Sequence, residues 1–168
     1  MKEISFRNDV LPCKDKIFRL ALRITMNRAE AEDIVQDTLI RVWNKRDEWA
    51  GFSSIEAYCL TVCRNLSLDR ISLKESNHTT LDAQPEVPDF STPHDMLDRK
   101  EQMSLVEKLL EGLPELQRSI LQLREMEGKN YKEIAEVLGI SEEKVKVYLF
   151  RARQRLRQAY QKIDGYGL

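Results

Sequence analysis

The stretch NYKEIAEVLGISEEKVKVYLFRARQRLR, from Asn130 to Arg157, constrains the fold of this chain more than any other. Asn130 is placed to cap a helix, with Glu133 at the third helical position reaching back, and Tyr131, Ile134, Ala135 and Leu138 follow as an apolar stripe at helical spacing. Gly139 ends that helix, Ile140 bridges a turn, and Ser141 caps a second helix. The first turn of the second helix carries Glu142 and Glu143, the charge sign that a helix N-terminus favours. On this helix Val145, Leu149, Ala152 and Leu156 recur in steps of four and three, so they share one buried stripe. At about 100° per residue, Glu143, Val147, Phe150, Arg151 and Gln154 point away from that stripe, with Lys144, Lys146, Arg153, Arg155 and Arg157 toward its flanks. No acid follows Glu143 on that face. A charge run alone suits a solvated helical hairpin. Caps, glycine turn and segregated charge together favour a helix-turn-helix whose second helix enters a DNA major groove, reading bases near its N-terminal half and holding phosphates with flanking Lys and Arg.

The remainder of the chain must carry that motif. A length of 168 residues allows one large domain or two small ones, and 42% hydrophobic with 33% charged residues marks a soluble globular protein. No apolar run approaches the roughly 20 residues needed to span a bilayer, and MKEISFRNDVLP has no signal-peptide core, so the expected location is the cytoplasm, without membrane insertion. Cys13, Cys59 and Cys63 are odd in number, and His78 and His94 lie in a different segment. Buried reduced thiols are therefore expected rather than zinc ligands or a catalytic pair.

The net charge of −1 conceals an uneven distribution: about +1 over residues 1–75, about −5 over 76–98 and about +3 over 99–168. The acidic middle holds Pro85, Pro88 and Pro93 without a sustained apolar period and reads as a linker. No strand-like alternation occurs. The expected fold is all-α: two small helical domains, 1–75 and 99–168, joined by an acidic linker over 76–98, the second being a helix-turn-helix, winged-helix-like DNA-binding domain.

In the first domain Ile17, Leu20, Ala21 and Ile24 mark one amphipathic helix, and Asn27 is placed to cap a second. There Ala31, Ile34, Val35, Thr38, Leu39 and Val42 form the inner stripe. Asp33, Gln36, Asp37, Ile40 and Arg41 are left outside, as ordinary surface or as an acidic and amide face with an exposed apolar centre suited to a basic partner helix. The loop DEWAGFSS follows with Trp49 and Phe52, aromatics that either support an unstacked base or close the end of the bundle. Ser53 or Ser54 then caps a third helix with Ile55, Tyr58, Cys59, Val62 and Leu66 inward and Thr61, Arg64, Asn65, Asp69 and Arg70 opposite. In the second domain, Leu105, Val106, Leu109 and Leu110 form one helix ended at Gly112. Pro114 opens another, holding Leu116, Ile120, Leu121 and Leu123 and closed by Gly128; the pair should pack beneath the helix-turn-helix.

Together AEDIVQDTLIRVW, YCLTVCRNLSLDRI, a proline-bearing linker, LPELQRSILQLREMEGKNYKEIAEVLGIS and VKVYLFRARQRLR resemble a bacterial RNA polymerase sigma factor of the extracytoplasmic-function group, in the right order over nearly the whole chain. The resemblance implies a transcription initiation factor without catalysis or cofactor of its own. It places docking on the clamp coiled coil of the large subunit of core RNA polymerase at Asp33 to Trp43, and upstream (minus-thirty-five) promoter reading on the helix from Glu142. Downstream (minus-ten) reading falls on the loop from Asp47 to Ser54 and the helix carrying Asn65 and Asp69. An anti-sigma partner is a further expectation of the family. Lys144, Val147 and Tyr148 stand where the family commonly has Thr, Ser and Arg, so the resemblance does not define the promoter bases. Against it stand a free-standing helix-turn-helix regulator, which predicts dimers on palindromic half-sites, and a helical adaptor, which predicts no salt-dependent DNA binding.

Overall fold

The computed structural model describes residues 3–78 and 98–166, with side chains described over 3–75 and 105–162. Two short helical turns, Phe6–Val10 and Leu11–Cys13, lead into α1 (Lys14–Thr25). There follow α2 (Arg28–Asn44), a tight turn over Arg46–Gly51 and α3 (Ile55–His78). The second half comprises α4 (Asp98–Glu111), α5 (Glu115–Leu121) with a wide turn over Gln122–Met126, α6 (Tyr131–Leu138) and α7 (Glu142–Tyr166). Helix α3 runs three residues into the stretch read as linker and α4 begins on its last residue, Asp98, while the residues between, with all three prolines and His94, lie outside the described residues. Among the described residues no strand occurs, so the helix-turn-helix stands without the wing that a winged-helix comparison implies.

The caps explain where the helices begin. Asn27 Oδ1 accepts from the Glu30 N–H at 3.0 Å and Ser54 Oγ from the Ala57 N–H at 3.1 Å, so Ser54 rather than Ser53 caps α3. Asn130 Oδ1 accepts from the Glu133 N–H at 2.8 Å, but the Glu133 carboxylate does not reach back; it pairs with Lys129 at 3.6 Å. Gly139 is left-handed at φ 68°, a backbone state glycine adopts without steric penalty, and its N–H closes on the Ala135 carbonyl at 2.9 Å.

The buried apolar residues of the two halves join in one cluster. In the first, α1, α2 and α3 bury Ile17, Leu20, Ala21, Ile24, Ala31, Ile34, Val35 and Val42 against Cys59, Leu60 and Cys63. All three cysteines are free and buried, and burial pushes the Cys63 thiol up to about 12. In the second, Ile120, Leu121, Leu123, Ile134, Val137 and Leu138 close on Val145, Leu149 and Ala152. Val137 lies outside the apolar stripe expected for α6 yet is 4% exposed.

The halves pack on each other, α5 against α1 and α6 against α3, and polar groups bridge them. Arg118 donates to the carbonyls of Arg23 (2.8 Å), Ile24 (3.0 Å) and Leu113 (2.6 Å). Two of those carbonyls close the last turn of α1, where the helix has unpaired acceptors and favours a cation. Arg19 grips Glu127 with two bonds, at 2.8 and 2.6 Å, and Gln122 donates to the same carboxylate at 2.8 Å. Glu56 on α3 lies between Lys16 of its own half, at 2.5 Å, and Lys129 of the other.

Burial alone would raise both carboxyls, but the bonds from Lys129 and Lys16 to Glu56, and from Arg19 and Gln122 to Glu127, outweigh it and hold them below the usual carboxylate value. A folded-state value below the unfolded one means that stability is fully present above the unfolded value and is lost as pH falls through the folded one. The melting temperature is therefore expected to fall on acidification through the carboxylate range, and Glu127→Gln should flatten that fall. A pH–melting profile unaltered by the substitution would contradict it. Leu149, 2% exposed, is expected to cost about 2 to 5 kcal/mol of stability when changed to Ala. Calorimetry showing an unchanged transition would place it outside the core.

Candidate nucleic-acid interface

With Val145, Leu149 and Ala152 buried, the opposite face of α7 is turned outward. Val147 is 47% and Phe150 62% exposed, and Lys144, Lys146, Arg151, Arg155 and Arg157 are exposed around them. The helix begins at Ser141, whose Oγ accepts from the Lys144 N–H at 3.2 Å, so the residues nearest the turn are held at a fixed entry angle. Arg151 lies over the half-buried Tyr148 ring at 5.9 Å, while Lys146 at 5.6 Å and Arg124 at 4.7 Å lie over Tyr131. Arg153 is already committed within the protein: its Nε donates to Glu125 at 2.7 Å. Exposed apolar side chains within a basic rim match what a major groove presents, thymine methyls and base edges between two phosphate rows.

On the first half, the residues expected to meet DNA separate. Asn65 and Asp69 on α3 are exposed. Arg64 is covered by the second half: its side chain is 14% exposed, Nη2 meets Glu115 at 3.3 Å, and its Nε is buried without a partner. Trp49 is 6% exposed, its indole N–H donates to the Val42 carbonyl at 2.9 Å, and its ring meets Trp43 edge-on at 6.2 Å. Of the two roles open to it, Trp49 takes bundle closure, because a buried ring with its N–H spent offers no face to a base. Phe52 is half-buried and stacked on Tyr58 at 4.2 Å.

The outer face of α2 exposes Asp33, Gln36, Asp37, Ile40 and Arg41 together, with Ile40 58% exposed. Arg70 reaches across from α3 to Asp37 at 3.1 Å and Asp33 at 3.6 Å, which fixes the two acids and partly answers their charge. Ile40 is not isolated. Trp43, 45% exposed, Leu39 and Phe6 line one shallow apolar hollow with it, and Phe6 packs edge-on to Trp43 at 5.4 Å. Trp43 was legible as the residue three positions after Ile40 on the same helix face; Phe6 reaches the hollow from the N-terminal turn, and no periodicity announces that.

Among the described residues no group of three or more His, Cys, Asp or Glu is placed to hold a metal ion, and no helix is long and apolar enough to cross a membrane.

Comparison with known proteins accounts for the two halves separately and together. Residues 10–76 match the family "Sigma-70 region 2" and residues 103–156 match "Sigma-70, region 4". The ECF RNA polymerase sigma factor SigL of Mycobacterium tuberculosis is 35% identical over 153 residues, 88% of this chain and 84% of that protein. SigW of Bacillus subtilis is 29% identical over 86% of this chain and 83% of its own length. Among solved structures, RpoE of Bartonella quintana, crystallised with the anti-sigma factor NepR, superposes with a TM-score of 0.74 at 24% identity, over 93% of this chain and 96% of that one. CnrH in complex with the cytosolic domain of CnrY gives 0.66 at 20% identity, over 91% of this chain and 85% of that one. With family matches over residues 10–76 and 103–156 and a 35% identical relative spanning both halves, the chain belongs to the extracytoplasmic-function RNA polymerase sigma factors, which direct transcription initiation by recognising promoters.

Proposed function

We propose that each surface described above performs one step of initiation. The outer face of α2, centred on Ile40 and Trp43 and rimmed by Asp33, Gln36, Asp37 and Arg41, docks on a basic helix of the clamp coiled coil of core RNA polymerase. Lys144, Lys146, Val147, Tyr148, Phe150, Arg151 and Arg155 read the minus-thirty-five element, with Arg153 contributing charge from its pair with Glu125. Phe52, Arg64, Asn65 and Asp69 hold the minus-ten element. These assignments rest on one observation above the rest: the exposed apolar residues of α7 and of α2 lie on faces that their own cores cannot use. The protein acts in the cytoplasm, works through the polymerase's chemistry rather than its own, and has an anti-sigma partner, as RpoE has in its complex.

The double substitution Asp37→Lys with Ile40→Ala removes an acid and the apolar centre while sparing the buried Ile34, Val35 and Val42. It is expected to cost several kcal/mol of association with core polymerase, with an unchanged helical circular dichroism spectrum. Undiminished polymerase binding by the folded variant would remove this face from docking. Arg151→Ala is expected to weaken promoter binding by about 1 to 3 kcal/mol in a titration at fixed salt. Equal affinity for variant and parent would remove Arg151 from the reader.

A further inference from the structure

Three free cysteines lie where α3 packs on α1, and the steps of initiation assigned above use none of them. Cys63 Sγ donates to the Ile17 carbonyl of α1 at 3.3 Å, and one turn earlier on both helices Cys59 and Cys13 meet thiol to thiol in a hydrogen bond. The step from 13 to 17 matches the step from 59 to 63, so the two helices run side by side, and the small side chains of α3 let them lie close. We infer that Cys13 and Cys59 are a redox-active pair that a hydroperoxide converts into an intramolecular disulfide, a modification site that ties the N-terminal turn to α3. In a reducing compartment such a bond is transient and reports oxidant.

The two sulfurs are unlike. Cys13 occupies the cap position of α1, where backbone N–H groups favour negative charge. As a thiol it donates to the Asp9 carbonyl at 3.4 Å, which leaves its lone pairs to Cys59. The hydrogen bond from Cys59 holds Cys13 below its ordinary value against burial, and Lys16 and Lys129 favour the thiolate while Glu56 opposes it. The same bond and burial push Cys59 up, so Cys59 stays protonated. Cys13 is therefore the attacking group. Its thiolate attacks one peroxide oxygen, the O–O bond breaks, and the departing oxyanion takes up the proton that Cys13 released. Cys59 sulfur then displaces the hydroxyl of the Cys13 sulfenic acid: the S–O bond breaks, the S–S bond forms, and the Cys59 proton leaves with the hydroxyl as water. Two thiols lose two electrons, and one hydrogen peroxide becomes two waters. Access follows from the fold at Cys13, which ends the turn Leu11–Cys13 and is flanked by exposed Leu11, Pro12, Lys14 and Asp15, so opening of this turn alone uncovers it. The same short turn, rather than either helix, takes up the approach to a bonded S–S distance of about 2 Å. Cys63 lies midway along α3, fully buried with its proton spent on Ile17, and stays reduced. The disulfide fixes the segment that carries Phe6, one wall of the apolar hollow on α2, and exchange with a reducing dithiol releases it.

The test uses the full chain, reduced and then treated with hydrogen peroxide at an exposure that oxidises free cysteine in the same solution. Intact mass should fall by two hydrogen atoms, and dithiothreitol should restore it. Fragmentation of the linked tryptic peptides should place the bond between Cys13 and Cys59, with Cys63 alkylated once the chain is unfolded. Amide exchange over residues 6–13 should be slower in the oxidised chain than in the reduced one. The same treatment in guanidinium should scatter the bond among the three cysteines, because the pairing depends on the fold. Cys63→Ala should leave the Cys13–Cys59 bond intact, and Cys59→Ser should stop at a Cys13 sulfenic acid that dimedone labels. A folded parent chain that keeps all its thiols alkylatable, that carries Cys13 as sulfinic acid with Cys59 still reduced, or that pairs its cysteines as randomly as the unfolded chain would overturn the pair.

Discussion

The burial of Val145, Leu149 and Ala152 against α5 and α6 sets the rotation of α7 about its axis, and with it everything the helix presents to DNA. A helix whose apolar residues recur in steps of three and four can satisfy them in only one orientation. Once that orientation is taken, Val147, Phe150 and Arg151 have nowhere to go but outward. The same reasoning holds on α2, where Ala31, Ile34, Val35, Thr38 and Val42 are buried and Ile40 and Trp43 are left over. An exposed isoleucine or tryptophan is unremarkable singly. Two on one face, joined by Phe6 and Leu39, make a contiguous exposed apolar patch.

Between the halves the physics differs. The apolar residues of both halves join in one cluster, and guanidinium, carboxylate, ammonium and carbonyl groups bridge the joint beside it. Arg118 illustrates its character: burial pushes the guanidinium down from its ordinary value, yet the carbonyls of Arg23 and Ile24 give it directed partners at the end of α1. Such contacts specify geometry more than they contribute net stability, because separation exchanges them for hydration.

The helices, their caps at Asn27 and Asn130, the left-handed Gly139 and the buried stripe of α7 were all legible in the sequence, because each depends on residues within one or two turns. What escaped depended on distant chain. Leu60, Cys63 and Ser67 are fully buried although only one stripe of α3 reads as apolar, since α1 covers a second side of that helix and α6 packs along it too. Glu133 left its expected reciprocal cap because Lys129, recruited to the joint with Glu56, stands within reach. Arg64 was placed among exposed DNA contacts, and the covering half that removes it from solvent has no trace in the local pattern. Trp49 had two roles open, and only the position of the Val42 carbonyl decided between them.

Whether this chain acts as the promoter-reading subunit of RNA polymerase, docking through α2 and reading through α7, is decided by transcription of fragmented genomic DNA by core polymerase with and without the purified chain, followed by mapping of transcript 5′ ends. A discrete set of 5′ ends should appear only with the chain and share sequence elements upstream at two fixed spacings. The same scattered 5′ ends with and without the chain, in the presence of duplex binding by chain dimers at palindromic sites, would contradict it.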